Sequence, residues 1–294
     1  MTKYSTFLLL FAYSSLFAQV SKEAKTIVSE ADMQHLSLNI RVNYGNLFFK
    51  GNEETGKSQF KMSGKNVNAM QDIKAKAGNL YEKQFTFTTD KDAMAAKDVL
   101  AMTAQEVVPG AAADNVVCYQ HDVNVETQLN LEVLKGNGRV DLSGMRLSQA
   151  NISGGNSDLM IDFSQQNKTL MKNMTLHTGM GKIVLRNPEY ANAELITVKN
   201  ELGDIRIVLG SSYKPGTNIV VQSTIGACVF VVDDAQPTKI ILKTTAFVKN
   251  TLPATYTKIS ENTYTNRAFT TNKTAKPVVI TCDKDAGTIE VIEN

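Results

Sequence analysis

The sequence predicts an all-β chain built as a single-stack parallel β-helix, and three observations lead to this prediction. A 12-residue pattern recurs seven times along the chain. Each copy alternates apolar and other residues with period two on both sides of a corner, which is the pattern of two half-buried strands. The spacing between successive copies lies in the range in which repeats bury their apolar residues by stacking on one another.

The repeat reads apolar, any, apolar, four residues, Gly, any, apolar, any, apolar, as in MTLHTGMGKIVL. The corner position is occupied by Gly45, Gly138, Ser157, Gly181, Gly203, Gly226 and Gly287. From 138 to 226 the steps are 19, 24, 22 and 23 residues, so we expect coils of about 19–24 residues. Glycine at a corner fits a backbone position that needs positive φ.

The segment GMGK at 179–182 is predicted to be such a corner. A phosphate-binding loop needs GxxxxGK[ST], or GxGxxG at the start of a helix that follows a strand. Here Lys182 is followed by Ile183, and the chain enters another strand. The segment therefore indicates a structural corner and not a nucleotide enzyme.

Residues 1–18 are predicted to be a secretory signal peptide, followed by a β-helix domain at 19–294. Lys3 is the only charge in the first twenty residues, an apolar stretch begins at Phe7, and small residues lead to Ala18. The apolar run is shorter than the about 20 residues that span a bilayer. We expect an exported chain, in the periplasm or at the cell surface or extracellular, with no transmembrane segment and no lipid anchor.

Two segments interrupt the repeat. Residues 90–110 are rich in Ala, Met, Leu and Lys and end at Pro109-Gly110, which predicts an inserted helix that packs on or caps the stack. Residues 248–277 are rich in Thr, Tyr and Asn and predict a hairpin-like excursion before the last repeat. Its aromatic side chains, Tyr256, Tyr264 and Phe269, are expected to pack on the flank of the stack, with a glycan-stacking surface as the alternative.

Charge and composition exclude some partners. The chain has 294 residues, of which 20% are charged, with 31 Lys and Arg against 29 Asp and Glu. Removal of the signal peptide takes away Lys3 and leaves 30 basic against 29 acidic residues. A near-neutral chain has no general attraction for nucleic acid or for an anionic membrane surface, so no nucleic-acid partner is expected.

The order of the parts resembles a known family. The early NIRVNYGNLFFKG, the central LEVLKGNGRVDLSGMRLSQANISGG and the closing VVITCDKDAGTIEV are similar to bacterial "toast-rack" domains of the adhesin-type and envelope-stress (LiaF-type) group. The resemblance implies a right-handed β-helix in an envelope or secreted protein, with no established catalytic residues. The chain departs from membrane-tethered members because it lacks their transmembrane helices.

Two sets of outward-facing residues are candidate binding surfaces. Each set takes the same position from successive repeats, and we call such a set an outward column. The column after the corner contains Met160, Val184 and Val229, and we expect this apolar group to be a partner surface covered by the helix or by another chain. Its predicted members are Phe48, Asp141, Met160, Val184, Arg206, Val229 and Glu290. The column before the corner is polar and flat, which is typical of an exposed sheet and leaves glycan binding as an alternative. Its predicted members are Asn39, Glu132, Asn151, Thr175, Thr197, Val220 and Thr281.

No catalytic, cofactor or metal site is predicted. Asp158, Lys182 and Asp204 share an outward column, which favours charge pairing on a solvated face, with a polysaccharide-cleaving carboxylate pair as the alternative. The histidines, His35, His121 and His177, do not have the spacing of metal ligands. Among the three cysteines (Cys118, Cys228 and Cys282), the last two occupy inward positions on opposite sides of the corner. We expect buried free thiols there, with a disulfide as the alternative.

These observations together predict a non-catalytic exported envelope protein. It would serve as an adhesion or scaffold module that acts through the faces of its sheets, with an envelope protein or a glycan as the partner. One alternative is a polysaccharide-binding or polysaccharide-cleaving β-helix. Another is a sensor or regulator that docks on another envelope protein through the apolar column.

Overall fold

The fold is known from a computed structural model that describes residues 22–28, 35–53, 57–63, 68–75, 80–88, 116–210, 216–272 and 276–294. The described residues form 19 strands and one α-helix. The first strands are β1 (Lys22–Val28), β2 (His35–Val42), β3 (Gly45–Asn52), β4 (Lys57–Ser63), β5 (Asn68–Ala75), β6 (Leu80–Thr88) and β7 (Val116–Asp122). The predicted signal peptide and the predicted helix at 90–110 lie outside the described residues.

The central strands carry the repeat. They are β8 (Glu126–Asp141), β9 (Leu147–Asp162), β10 (Met171–Met180), β11 (Ile183–Arg186), β12 (Ala193–Leu202), β13 (Ile205–Val208) and β14 (Asn218–Val232). All pairings among them are parallel, as expected when equivalent segments of successive repeats lie side by side. A 3₁₀ turn at Pro188–Ala191 connects β11 to β12.

The last strands add an antiparallel excursion. They are β15 (Thr238–Thr244), β16 (Val248–Thr251), β17 (Thr257–Ser260), β18 (Thr263–Thr265) and β19 (Val278–Glu293), with helix α1 (Arg267–Thr271) before β19. Strands β17 and β18 form an antiparallel pair, and β18 also pairs antiparallel with β15. Tyr256 is buried and Tyr264 packs against the core, so these two aromatic side chains lie on the flank of the sheets.

The prediction of a single-stack right-handed parallel β-helix is wrong, although the all-β class is confirmed. Strand β9 pairs with both β10 and β11, and β14 pairs with both β12 and β13. Because β10 also pairs with β12 and β11 with β13, these six strands form a closed parallel barrel. Antiparallel pairs of β1 with β4, β4 with β7 and β5 with β6 add further strands that a single stack does not have.

The physical reason for the difference is the continuity of the strands at the corner. Strands β9 and β14 have 16 and 15 residues and run through the corner without interruption, whereas the two repeats between them break into two strands there. The pair β10–β12 and the pair β11–β13 form two ladders, which β9 joins at one end and β14 at the other. The hydrogen-bonded strands therefore form a closed ring. The alternation of apolar residues predicts which faces are buried, and the period of the repeat predicts the length of each coil. Neither of them depends on whether the strands close into a barrel.

The core lies between the two ladders. Inward positions alternate with outward ones along each strand, so Leu176, Val198 and Val221 stack on adjacent strands with 0% exposure. Full burial of one such aliphatic side chain stabilises the fold by about 1.5–3 kcal/mol. The core therefore consists of rows of aliphatic side chains that repeat from strand to strand.

The glycine column differs from the prediction at one repeat. Gly45 pairs with Gly136, and Gly136 pairs with Ser157, so the corner glycine of β8 is Gly136 and not Gly138. Gly136 has φ +131°, whereas Gly138 lies opposite the buried Leu159. Both glycines of GNG fit the template by sequence, and only the backbone conformation shows which of them is the corner glycine. This shift by two residues changes the members of both predicted outward columns.

Candidate functional site

The corners of the repeats place strict limits on the backbone and on the side chains that fit there. Gly181 and Gly203 have φ +122° and +140°, and a Cβ atom on Gly203 would lie 1.9 Å from the carbonyl oxygen of Gly181. Successive corners therefore pack backbone against backbone, and only glycine fits at these positions. The segment GMGK is such a corner, as predicted.

Directly before the corner glycines lies a row of exposed apolar side chains, which we call the corner ridge. Met180, Leu202 and Ile225 occupy adjacent parallel strands in register. Their exposed fractions are 46%, 45% and 51%. Ala286 follows Ile225 in register, and Phe247, which is 81% exposed, lies beside Ala286.

The corner ridge was not predicted from the sequence. Its residues fall in the four-residue segment of the template, where period two no longer separates inward from outward positions. The available signal was an apolar residue directly before the glycine in three successive repeats, GMG, ELG and TIG. Because the chain turns at this point, such a residue projects away from both ladders.

The predicted partner surface lies elsewhere and exposes less. Met160 and Val184 are neighbours on β9 and β11, and each is 6% exposed. Val229 is half-buried and is separated from Val184 by Arg206. In this column Arg139, and not the predicted Asp141, pairs with Met160, because the corner of β8 lies at Gly136.

The polar column before the corner contains a ladder of asparagines. Asn130, and not the predicted Glu132, lies between Asn39 and Asn151. Asn130 Nδ2 donates to Asn39 Oδ1 at 2.9 Å, and Asn151 Nδ2 donates to Asn130 Oδ1 at 2.8 Å. The side-chain amides on this face therefore bond mainly to one another.

A polar cleft of about 450 Å³ lies where the second strands of the early repeats end. Ser143 and Ser164 are joined through their hydroxyl groups at 2.9 Å, and Asp141 accepts the backbone N–H of Ser143 at 3.0 Å. The cleft is lined by Lys50, Gly51, Glu53, Val123, Asn124, Asp141, Ser143, Gly144, Ser164, Gln165 and Lys168. Hydroxyl, amide and charged groups of both signs therefore converge there.

The carboxylates of the outward column that contains Asp158, Lys182 and Asp204 accept hydrogen bonds from the backbone. Asp158 Oδ1 accepts the N–H of Lys182 at 2.7 Å, and Asp204 Oδ1 accepts the N–H of Ala227 at 2.9 Å. Each carboxylate thus bridges its own corner to the corner of the next repeat. This arrangement stabilises the stack of corners, which is a structural role.

The three histidines lie in separate places. His121 is buried, stacks on Phe49 and Tyr119, and its Nε2 lies 2.9 Å from Thr127 Oγ1. His35 and His177 lie within ion-pair distance of glutamates, at 3.6 and 3.8 Å. In the part of the chain that the structure describes, no group of three or more His, Cys, Asp or Glu side chains is arranged to hold a metal ion.

Two buried titratable groups have shifted pKa values. Burial raises the pKa of Glu189 to about 6, although its Oε1 accepts the N–H of Gly210 at 2.8 Å. A hydrogen bond from Cys282 lowers the pKa of the Cys228 thiol to about 7, with a further contribution from Lys284. Cys228 and Cys282 are both buried free thiols.

Comparison with known proteins gives matches among solved structures alone. No protein-family model matches the chain, and no curated protein matches it significantly. The chain is similar to a candidate cell adhesion protein from Clostridium sporogenes, with 13% identity, coverage of 92% of this chain and 99% of that one, and a TM-score of 0.44. It is also similar to a candidate adhesin from Bacteroides fragilis, with 10% identity, coverage of 92% and 98%, and a TM-score of 0.38.

A third similar structure is a candidate adhesin from Parabacteroides merdae. The identity is 10%, the coverage is 92% of this chain and 95% of that one, and the TM-score is 0.27. The envelope-stress (LiaF-type) part of the sequence resemblance stays a prediction. Among the described residues, no helix is both long and apolar enough to cross a bilayer.

Proposed function

We propose that the chain is an exported, non-catalytic adhesion module of the bacterial envelope that holds a protein partner through the corner ridge. The observation that carries this proposal is the row of Met180, Leu202, Ile225 and Phe247, all of which are about half exposed or more. Large apolar side chains that adjoin on a surface mark an interaction site, whereas scattered ones do not.

The extent of the ridge suits a compact contact. Adjacent strands are about 4.8 Å apart, so the row from Met180 to Phe247 extends over roughly 19 Å. The exposed apolar area is on the order of 400 Å², within the range of functional patches on monomeric proteins. Phe247 is the most exposed of the four and is the natural anchor, because aromatic side chains dominate the energetics of interfaces.

The surroundings of the ridge resemble the rim of a protein interface. Glu201 and Asp285 lie on one side of the row, and Lys182 and Asp204 on the other, all of them exposed. An apolar centre with a charged rim of both signs favours a protein partner over a glycan. The rim also keeps the unbound surface soluble.

The proposal is tested with a double variant of the ridge. Leu202→Glu with Ile225→Glu places two carboxylates at the centre of the row, and we expect binding of the purified chain to envelope vesicles of its own bacterium to weaken at least tenfold. The matched control is Leu170→Glu with Ile259→Glu, because these side chains are 56% and 52% exposed and lie outside the ridge. Equal binding by both double variants, with unchanged thermal unfolding, would contradict the proposal.

A second candidate function is polysaccharide binding, and the polar cleft is the observation that favours it. Its volume of about 450 Å³ is adequate for a short saccharide, and its serine, asparagine and glutamine side chains suit hydroxyl groups. The test is a polysaccharide array probed with the chain and with Gln165→Ala and Lys168→Ala. Saturable binding that both variants abolish would favour the cleft, and release of reducing ends would contradict the non-catalytic role.

A further inference from the structure

A buried cluster of two thiols, a lysine and a serine lies inside the corner of the last repeats. Cys228 and Cys282 lie on the inner faces of β14 and β19, and each is 0% exposed. These strands are parallel neighbours, and Val221 pairs with Cys282, so the two cysteines come from opposite sides of the corner. Both side chains therefore point into the interior beside the same corner.

Lys284 is buried beside this thiol pair. It is 1% exposed, and its Nζ donates to Ser223 Oγ at 2.8 Å. In the described part of the chain, no carboxylate lies within ion-pair distance of this ammonium group. A buried cation is strongly unfavourable unless an anion or several hydrogen bonds compensate it. Interaction with Cys282, Lys284 and Ser223 lowers the pKa of the Cys228 thiol, so its thiolate is the available anion.

A pocket leads from the surface to this cluster. Its volume is about 300 Å³, and Ser223, which binds Lys284, forms part of its wall together with Asn200. The remaining lining residues are His177, Lys199, Glu201, Gln222, Thr224, Asp283 and Asp285. Ser223 is therefore the residue at which this pocket meets the buried cluster.

We propose that Cys228 and Cys282 form a peroxide-reactive dithiol pair, in which Lys284 stabilises the attacking thiolate of Cys228. Its substrate is a small hydroperoxide that enters through the pocket. The low pKa of Cys228 agrees with this role, because thiolates and not thiols attack peroxides. The inference does not depend on the adhesion function.

The reaction balances in two steps. The Cys228 thiolate attacks the distal oxygen of the hydroperoxide, the O–O bond breaks, and Cys228 becomes a sulfenic acid while the alkoxide or hydroxide leaves and takes up a proton. Cys282 then attacks the sulfur of the sulfenic acid, a disulfide forms, and water leaves with the Cys282 proton. Two thiols are oxidised by two electrons, and one hydroperoxide is reduced.

The product would join the two sides of the corner. Cys228 lies two residues after Gly226, and Cys282 precedes Gly287 by five residues, so the disulfide would link β14 to β19 next to the corner ridge. This cross-link would close the loop from 228 to 282, and closing a long loop restricts the unfolded chain. We expect the oxidised protein to have a Tm higher by about 5 °C or more.

The test starts from the folded mature chain, reduced and freed of reductant, with hydrogen peroxide as the probe. Intact mass should fall by two hydrogens, and peptide mapping should connect Cys228 to Cys282. In Cys282→Ser the reaction should stop at a sulfenic acid that dimedone traps, and Cys118→Ser serves as the matched control that leaves the disulfide intact. Persistence of both thiols in the folded wild type under excess peroxide would overturn the proposal.

The role of Lys284 has its own readout. Lys284→Met should slow the oxidation about tenfold at neutral pH and move the midpoint of its pH–rate profile upward, because the thiolate of Cys228 loses its cation. The groups facing Cys228 are Cys282, Ser223 and Lys284, with Asp283 close to Cys282. Lys284→Arg keeps the charge and should retain most of the rate. If Lys284→Met does not fold, Ser223→Ala is measured, and an unchanged profile in the folded variant would contradict the assignment.

Discussion

At the scale of single residues, the corner glycines and one buried carboxylate define the strongest local constraints. Each corner glycine has positive φ, and from Gly136 onward a Cβ atom at this position would meet the carbonyl oxygen of the preceding corner. Glu189 is buried in the 3₁₀ turn with one carboxylate oxygen bound to the Gly210 N–H and the other, in the described structure, without a hydrogen-bond partner. Both features restrict which side chains these positions accept.

Gly203→Ala is expected to destabilise the fold by on the order of 3 kcal/mol. The new Cβ would meet the Gly181 carbonyl oxygen at 1.9 Å, and φ is +140°. Urea unfolding measures the change. Gly216→Ala is the matched control, because φ is +95° but the nearest atom to its Cβ is 3.7 Å away on the Lys276 side chain. A loss as large in the control would show that strain, and not the backbone contact, decides the effect.

Glu189 is expected to make stability depend on pH. Its pKa is about 6 in the folded chain and near the ordinary glutamate value in the unfolded chain, so the folded state binds more protons between these values. Stability should therefore fall as pH rises from about 4.5 to 6, by on the order of 1–2 kcal/mol. Unfolding free energies measured across this range should lose that slope in Glu189→Gln and keep it in Glu194→Gln, whose side chain is exposed.

At the scale of elements, the parallel ladders place equivalent residues of successive repeats in rows. The rows of Leu176, Val198 and Val221 form the core, and the row of Met180, Leu202 and Ile225 forms the corner ridge, only four residues further along each strand. The turn of the chain at the corner separates these two apolar rows. One of them stabilises the fold, and the other is available to a partner.

The asparagine ladder gives the prediction at this scale. Asn130→Ala removes one donor and one acceptor from a chain of side-chain hydrogen bonds, and we expect a loss of about 1–2 kcal/mol in the free energy of unfolding. Thr197→Ala is the control on the same face. If the two variants lose equal stability, the ladder contributes nothing beyond the burial of its side chains.

The parts of these elements that the sequence could predict are those that depend on spacing. Period two and the glycine steps located the strands and most corners. The corner at Gly136 was misplaced because Gly138 fits the same template, and positive φ is not visible in a sequence. The ridge was missed because alternation ends at the corner. Lys284 was missed too, although it lies two residues after the inward Cys282 and thus on the same side of the strand.

At the scale of the whole molecule, closure protects the central strands. In the barrel each of β10, β11, β12 and β13 has a hydrogen-bonded neighbour on both sides. No edge strand remains within it, so the ladders present no unpaired backbone for association with other chains. Sequence patterns could not predict this property, because it depends on which repeats continue unbroken through the corner.

Hydrogen exchange should show this difference directly. We expect amides of β10 and β12 to be the most protected, because their opening requires the barrel to open. Amides of β17, whose residues are all exposed, should exchange much faster. Mass spectrometry of peptides after timed exchange measures both. Equal protection of β12 and β17 would contradict a barrel that opens as one cooperative unit.

The bridges from Asp158 and Asp204 to the backbone of the next repeat have a consequence for how the chain can change in length. Each corner is held against its neighbour at one fixed register, so an insertion of a single residue within a corner would displace the glycine of that repeat from the carbonyl oxygen it faces. We therefore expect insertions to be tolerated only in the connections, such as the exposed residues 164–166 after β9. A peptide tag or a new loop would be accommodated there, and the corners would keep their alignment.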